Sequence, residues 1–226
     1  MLDKRLKVAA SYVRSDCNCV DVGTDHAYLA VYLYENKITE HIVACDINEK
    51  PLNAAKRTIK EHNLTGKIEV IQSNGLQNIS SDQAQDIIIC GMGGELIMSI
   101  ILSSSYTKSS DKRFILQPMT NAPYLRKSLY ENGYEIISET PVIDKNHVYT
   151  VMLVQYTGSV VEISPLFSMV GKISNHKSDA SEKYIMHQFN KQKKMADGLK
   201  KSSEKAELAD DCEKLADEIK QLLEEK

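Results

Sequence analysis

The sequence predicts an α/β fold: a seven-stranded, mostly parallel sheet covered by helices, with the last strand antiparallel and a helical hairpin appended. Three observations carry this expectation. Apolar runs of four to six residues alternate with amphipathic stretches as far as Tyr156, the pattern of strands buried on both faces and joined by crossover helices. The final two strands are joined by too few residues for a crossover, so the last must run antiparallel. After Thr157 the pattern changes to sustained helical periodicity ending in a heptad seam.

Residues 3–14 read as an amphipathic helix with Leu6, Ala9, Ala10 and Val13 on one face. A strand over 18–22 leads into a helix over 26–36, and a strand over 42–46 (IVACD) into a helix over 49–63. The strand over 67–72 ends in the turn Ser73-Asn74-Gly75-Leu76. The strand over 86–90 (DIIIC) runs into GMGG and a helix to about residue 103. The strand over 113–117 (RFILQ) meets Pro118 and a helix over 122–132. Strands over 134–143 and 147–156 flank a polar turn of Asp144, Lys145 and Asn146. Residues 1–158 are thus expected to form one domain and 159–226 a second, helical one. In the second, Ser164, Pro165 and Gly171 punctuate a connector. Leu208, Cys212, Leu215, Ile219 and Leu222 then step by alternating fours and threes, and Ile185, Phe189, Ala196 and Leu199 follow the same frame with Gln192 interrupting. Two helices joined near 200–206 would pair antiparallel over about 30 Å. Residues 172–205 carry nine lysines against four acids, whereas 206–226 carry three lysines against eight acids. That division suits either mutual pairing or a basic helix facing phosphates.

Composition narrows the class. The chain has 226 residues, 42% apolar and 26% charged, with a net charge of −3. No apolar run approaches the ~20 residues of a membrane span, and the amino-terminal stretch lacks a signal-peptide core. The five cysteines show no metal-ligand spacing, so reduced thiols, a cytoplasmic location and no metal are expected. A monomer is expected too.

The run VDVGTDHAYLA, Val20 to Ala30, carries the chemistry. A strand ends at Asp21 and Gly23 and a helix follows at once, which places a nucleotide-sized pocket at the carboxyl edge of the sheet. A dinucleotide loop would read G-x-G-x-x-G. Here one glycine is followed by Thr24, Asp25 and His26. Asp21 and Asp25 would repel a pyrophosphate but suit a ligand bearing an ammonium and a sulfonium, as S-adenosylmethionine does. Asp46 ends the next strand at the spacing, about 20 residues, where a carboxylate takes the two ribose hydroxyls. The expected cofactor-binding residues are Asp21, Gly23, Asp46, Ile47, Asn74, Gly75, Gly91 and Met92. Asn74 would meet the adenine edge, and Met92 and Leu76 would sandwich the ring. Asp25, His26 and Gly93 are the candidate catalytic residues, and Tyr28 is expected to be core. GMGG stands where many amino-methylating enzymes carry an Asn/Asp-Pro-Pro-aromatic loop, which argues against an exocyclic amine as the acceptor.

Taken together, GTDHAYLA, CDINEKPLNAAKRTI, SNGL, GMGG and LQP, followed by a coiled-coil tail, resemble the bacterial TrmK family across essentially the whole chain. The resemblance implies a Rossmann-like class I methyltransferase that uses S-adenosylmethionine to methylate N1 of the adenine at tRNA position 22. Two positions depart from the family pattern. Asn74 stands where the family usually has Asp, and Met119 and Thr120 separate LQP from Asn121. Basic residues of the tail and of the first helix (Lys4, Arg5, Lys7, Arg14) would then meet tRNA phosphates. A methyltransferase of a protein or small molecule, or a noncatalytic cofactor-binding adaptor, also fits the residues.

Overall fold

In the computed structural model, which describes residues 2–175, 177–201 and 203–224, seven strands form one sheet in the order β3-β2-β1-β4-β5-β7-β6. They are β1 (Cys19–Val22), β2 (Ile42–Asp46), β3 (Ile68–Gln72), β4 (Asp86–Gly93), β5 (Arg113–Thr120), β6 (Tyr134–Asp144) and β7 (His147–Tyr156). Only β7 runs against the others, pairing antiparallel with both β5 and β6. The chain lays β1 to β3 outward in one direction, then returns to place β4 and β5 on the other side of β1. That reversal between β1 and β4 opens a crevice beyond the strands' carboxyl ends, where α/β sheets bind ligands.

The strands form where the apolar runs predict because both faces are covered. Every residue of β1 is buried, as are Ile87, Ile88 and Ile89 of β4. Covering them are α1 (Lys4–Tyr12), α2 (Tyr28–Glu35), α3 (Glu49–Glu61), α4 (Gly94–Leu102) and α5 (Ala122–Glu131). Asp3 caps α1 by accepting from the Leu6 amide at 2.9 Å. Two strands run further than their apolar cores. β4 continues through Cys90-Gly91-Met92-Gly93 and β5 through Thr120, paired across register shifts at Cys90/Met92 and Met92/Gly93. Glycine and proline lower strand propensity, yet a bulged pair accommodates both.

Beyond β7 come α6 (Pro165–Val170), a 3-10 turn (Gly171–Asn175), α7 (Asp179–Leu199) and α8 (Ala206–Glu224). The hairpin of α7 and α8 forms as expected, with Cys212 and Ile219 in its seam, but at two steps the small neighbours Ala209 and Ala216 take the places expected of Leu208 and Leu215. Leu208 is 49% exposed, while Ala209, Cys212, Ala216 and Ile219 are buried. Small residues let the two helices approach closely, and Leu215 and Leu222 flank the contact against α6. Gln192 is buried in this seam and donates to the Met169 sulfur at 3.3 Å.

The tail is anchored to the sheet through a buried ion pair. Arg126 on α5 and Glu139 on β6 are both fully buried, 2.6 Å apart. Arg126 also donates to the carbonyls of Ser168 and Met169 and to the Tyr184 hydroxyl of α7. Glu139 accepts from the Lys172 amide and the Thr150 hydroxyl. Gly171, with φ +56°, lies so close that a Cβ there would run into both the Glu139 carboxylate and the Arg126 guanidinium. Burying two charges is repaid only when every remaining polar atom is partnered, and here the tail supplies all the partners but Thr150 of β7.

Candidate active site

At the reversal point a cleft of about 270 Å³ is lined by Asp21, Gly23, Asp25, His26, Tyr28 and Gly91, with Arg5 and Cys90 completing its wall. Asp21 is the penultimate residue of β1 and is only 7% exposed. Among the described residues it forms no ion pair. Burial pushes its carboxyl up to about 6, a hydrogen bond from Thr24 opposes the rise and the Asp46 charge adds to it. A desolvated carboxylate without a basic partner is a receptor for a cation.

Gly23 adopts φ +77°, a left-handed conformation that glycine takes without strain. Its amide and that of Thr24 both donate to the Cys45 carbonyl, at 2.8 and 2.9 Å. The turn is therefore held rigid by β2 rather than offering these two amides to a ligand. The helix start lies further on than the sequence suggests: Ala27 is left-handed, donates its amide to the Thr24 hydroxyl at 3.1 Å, and α2 begins at Tyr28 with no side-chain cap. Asp25, exposed, and His26, half-buried, lie on the intervening loop, with His26 Nε2 3.5 Å from Asp25 Oδ2. Tyr28 is not core. It is 54% exposed and its ring stacks on His26, centroids 5.1 Å apart.

The remaining expected cofactor residues lie on neighbouring loops at the same edge, outside that cleft. Asp46 Oδ1 accepts from the Asn48 amide at 2.7 Å, which fixes the carboxylate and leaves Oδ2 for a ligand. Ile47 is 52% exposed beside it, with its carbonyl accepting from Gln72 Nε2 at 2.9 Å. The β3 loop is tied to β2 through the Ser73 amide and the Asp46 carbonyl, 3.0 Å apart. Gly75, φ +58°, presses so close to Ile100 that a Cβ would meet it at 3.1 Å. Asn74 is exposed on this loop. Leu76 is fully buried in the core, so it cannot sandwich a ring with Met92. Met92 is half-buried, and its methyl occupies the space a Gly23 side chain would need. Its flexible thioether suits an adjustable wall.

The GMGG run divides its work by position. Gly91 is left-handed, φ +82°, and its amide donates to Gln117 Oε1 at 3.2 Å. Gly93 is extended, with φ −70°, and faces Thr120 across β4 and β5. Gly94 is the tightest, because a Cβ there would come within 2.6 Å of the Asn121 carbonyl. Asn121, left-handed at φ +54°, begins α5 and hydrogen-bonds Glu95 on the first turn of α4. That bond holds the Glu95 carboxyl below its ordinary range, leaving an ionised group at the mouth of the site.

Sequence reasoning missed Gln117 and misassigned Arg5. Gln117, buried in the middle of LQP, accepts from both Gly91 and Arg5, the latter at 2.5 Å. Arg5 therefore lines the cleft, steadied by Asp3 and stacked over Tyr149. Arg14 is equally structural: it grips the fully buried Asp86 through Nε and its own amide, at 2.8 and 2.7 Å. Of the four basic residues in this region, Lys4 and Lys7 keep exposed side chains. The signal available for Gln117 was a polar residue ending an otherwise apolar strand. Among the described residues no cluster of metal-ligand type occurs and no helix is long and apolar enough to cross a membrane.

Comparison with known proteins agrees with this geometry. The family described as "Methyltransferase domain" matches residues 2–152. The tRNA (adenine(22)-N(1))-methyltransferase of Bacillus subtilis is 34% identical over 154 residues, 68% of this chain and 65% of that protein's own length. The crystal structure of the B. subtilis m1A22 tRNA methyltransferase TrmK superposes with a TM-score of 0.84 at 27% identity, covering 100% of this chain and 98% of that one. The M. capricolum TrmK structure, in complex with S-adenosyl-homocysteine, gives 0.81 at 25% identity over 99% and 98%. With the buried Asp21, the left-handed Gly23 and the strand-ending Asp46 at the reversal point, the chain, similar to the TrmK structures along its whole length, belongs to the methyltransferase-domain family.

Proposed function

We propose that this protein transfers a methyl group from S-adenosylmethionine to N1 of the adenine at position 22 of tRNA. The observation that carries the cofactor is Asp21, a buried carboxylate without a cationic partner at the switch point of the sheet. It would receive the methionyl ammonium. Gly23 and Met92 would line the cofactor's path, the free oxygen of Asp46 would take the ribose hydroxyls, and Asn74, Gly75 and Ile47 would border the adenine. When bound, the cofactor supplies an electrophilic methyl on a sulfonium.

Neutral adenine N1 carries a lone pair, so no residue need remove a proton before attack. The product base is cationic, and carboxylates placed near it stabilise that developing charge. Asp25 and Glu95 are the exposed carboxylates at the mouth of the site, while His26 and Tyr28 present a stacked aromatic face. Gly93 keeps the wall opposite Thr120 bare, since a Cβ there would press on the Thr120 hydroxyl at 3.2 Å. N1 lies on the Watson–Crick edge, so the base must leave any pairing partner to react.

In this reading residues 1–158 bind the cofactor and hold the reacting base, and the helical region 159–226 meets tRNA. Lys183, Lys191, Lys193 and Lys194 on α7 form no ion pair among the described residues, whereas Lys200 pairs with Glu213 of α8. The protein acts as a metal-free monomer in the cytoplasm. The test is mass spectrometry of nucleosides from tRNA incubated with protein and isotope-labelled cofactor. Labelled 1-methyladenosine is expected. Label in a protein or small molecule with none in RNA would replace this reading.

A further inference from the structure

Beside the first cleft lies a second, of about 260 Å³, formed by the β5–α5 loop, β7 and one face of α7. The two share a wall. Arg5 lines the first cleft, its Nη1 is 3.7 Å from the Met119 sulfur, and its guanidinium lies 5.8 Å from the centroid of Tyr149. Met119 and Tyr149 both line the second.

The face of α7 that closes this cleft carries Tyr184, His187, Gln188 and Lys191, spaced so that they fall on one side of the helix. Tyr184 is spent on Arg126. The other three are not absorbed by the fold. Gln188 is only 6% exposed, and its buried Oε1 has no hydrogen-bond partner. An orphaned buried acceptor is destabilising by roughly 1–3 kcal/mol, and a hydrophobic residue would pack there without that penalty. Lys191 is exposed and makes no ion pair among the described residues, and His187 is exposed beside it.

The geometry points to a second nucleotide subsite, in which this cleft receives a nucleotide flanking the target adenine. Gln188 hydrogen-bonds the base edge, Tyr149 or His187 supplies a stacking surface, and Lys191 meets the phosphate. This rests on the functional reading above. A base extracted for methylation on its Watson–Crick edge unstacks from its neighbours, and a pocket sharing a wall with the reaction cleft is where a displaced neighbour would be held. Single-stranded RNA is recognised in this manner, by stacking and by hydrogen bonds to exposed base edges.

The test uses the full chain and a tRNA transcript, with 1-methyladenosine formation established first. Gln188→Met keeps the side chain's shape and removes the orphan acceptor. It should leave cofactor affinity unchanged and thermal stability equal or higher, yet raise KM for tRNA by about threefold to tenfold, the worth of one hydrogen bond. Lys191→Ala, at an exposed position that does not threaten folding, should reduce the slope of log affinity against log salt by about 0.7–0.9. Abasic substitution of the nucleotides on either side of position 22, one at a time, should find one where wild type loses activity and Gln188→Met loses no more. Both variants keeping wild-type KM and salt slope, with abasic losses unchanged by Gln188→Met at every position, would overturn the subsite. A wild-type protein that forms no 1-methyladenosine would overturn the functional reading and the subsite with it.

Discussion

Asp21 is the residue on which cofactor binding turns, and its burial gives a measurable signature. Its folded carboxyl titrates at about 6 instead of the ordinary 3.8. A raised carboxylate weakens the ligand-free fold as pH climbs from its unfolded value towards 6, because the charge must form in a desolvated place. A cationic ligand reverses that penalty and requires the ionised form. Cofactor affinity should therefore be flat above about pH 6 and fall up to tenfold per pH unit below it, as calorimetry across pH 5–8 would show. Affinity independent of pH over that range would remove Asp21 as the ammonium receptor. Asp21→Asn should abolish the dependence and weaken binding, while raising the melting temperature of the ligand-free protein. Asp46 has a different environment, half-exposed and held by Asn48. Asp46→Ala should weaken cofactor binding by about 1.5–3 kcal/mol, the scale for hydrogen bonds to a charged acceptor. Unchanged affinity in the same calorimeter would take it out of the site.

Among the elements, the β4–α4 junction shows how three glycines carry distinct constraints. Gly91 is left-handed, Gly93 is extended, and Gly94 touches the backbone at Asn121. Gly94→Ala should therefore destabilise the fold by about 1–3 kcal/mol through overpacking, read as a lower denaturation midpoint. Gly93→Val should stay folded and bind cofactor, yet lose turnover, because its side chain enters the space before Thr120. A Gly93→Val enzyme with normal rates would make that glycine a structural turn only. The sequence made the strands and the glycine run legible because both depend on local pattern: buried apolar runs and residues that permit tight backbone. It did not reveal Gln117 and Arg5, which meet across 112 residues. It also favoured Leu208 for the helical seam, because large apolar residues dominate a heptad pattern. Close packing of α7 and α8 instead selects Ala209 and Ala216.

At the scale of the molecule, the helical tail and the sheet are coupled through Arg126 and Glu139. The sequence offers no sign of this, since a basic residue on α5 and an acid on β6 each look like surface charge until Tyr184 and the carbonyls of α6 close around them. Arg126→Met would leave Glu139 buried and uncompensated, and should cost about 3–5 kcal/mol of stability, measured by denaturant unfolding. A near-neutral result would mean that the pair is not needed to hold the tail. The central claim concerns one atom of the substrate, and substitution of that atom tests it most directly. A tRNA transcript carrying 1-deazaadenine at position 22, with C–H in place of N1, should bind but accept no methyl group. A transcript with purine there, lacking only the exocyclic amine, should still be methylated. Methyl transfer to the 1-deaza transcript at the normal rate would contradict the account.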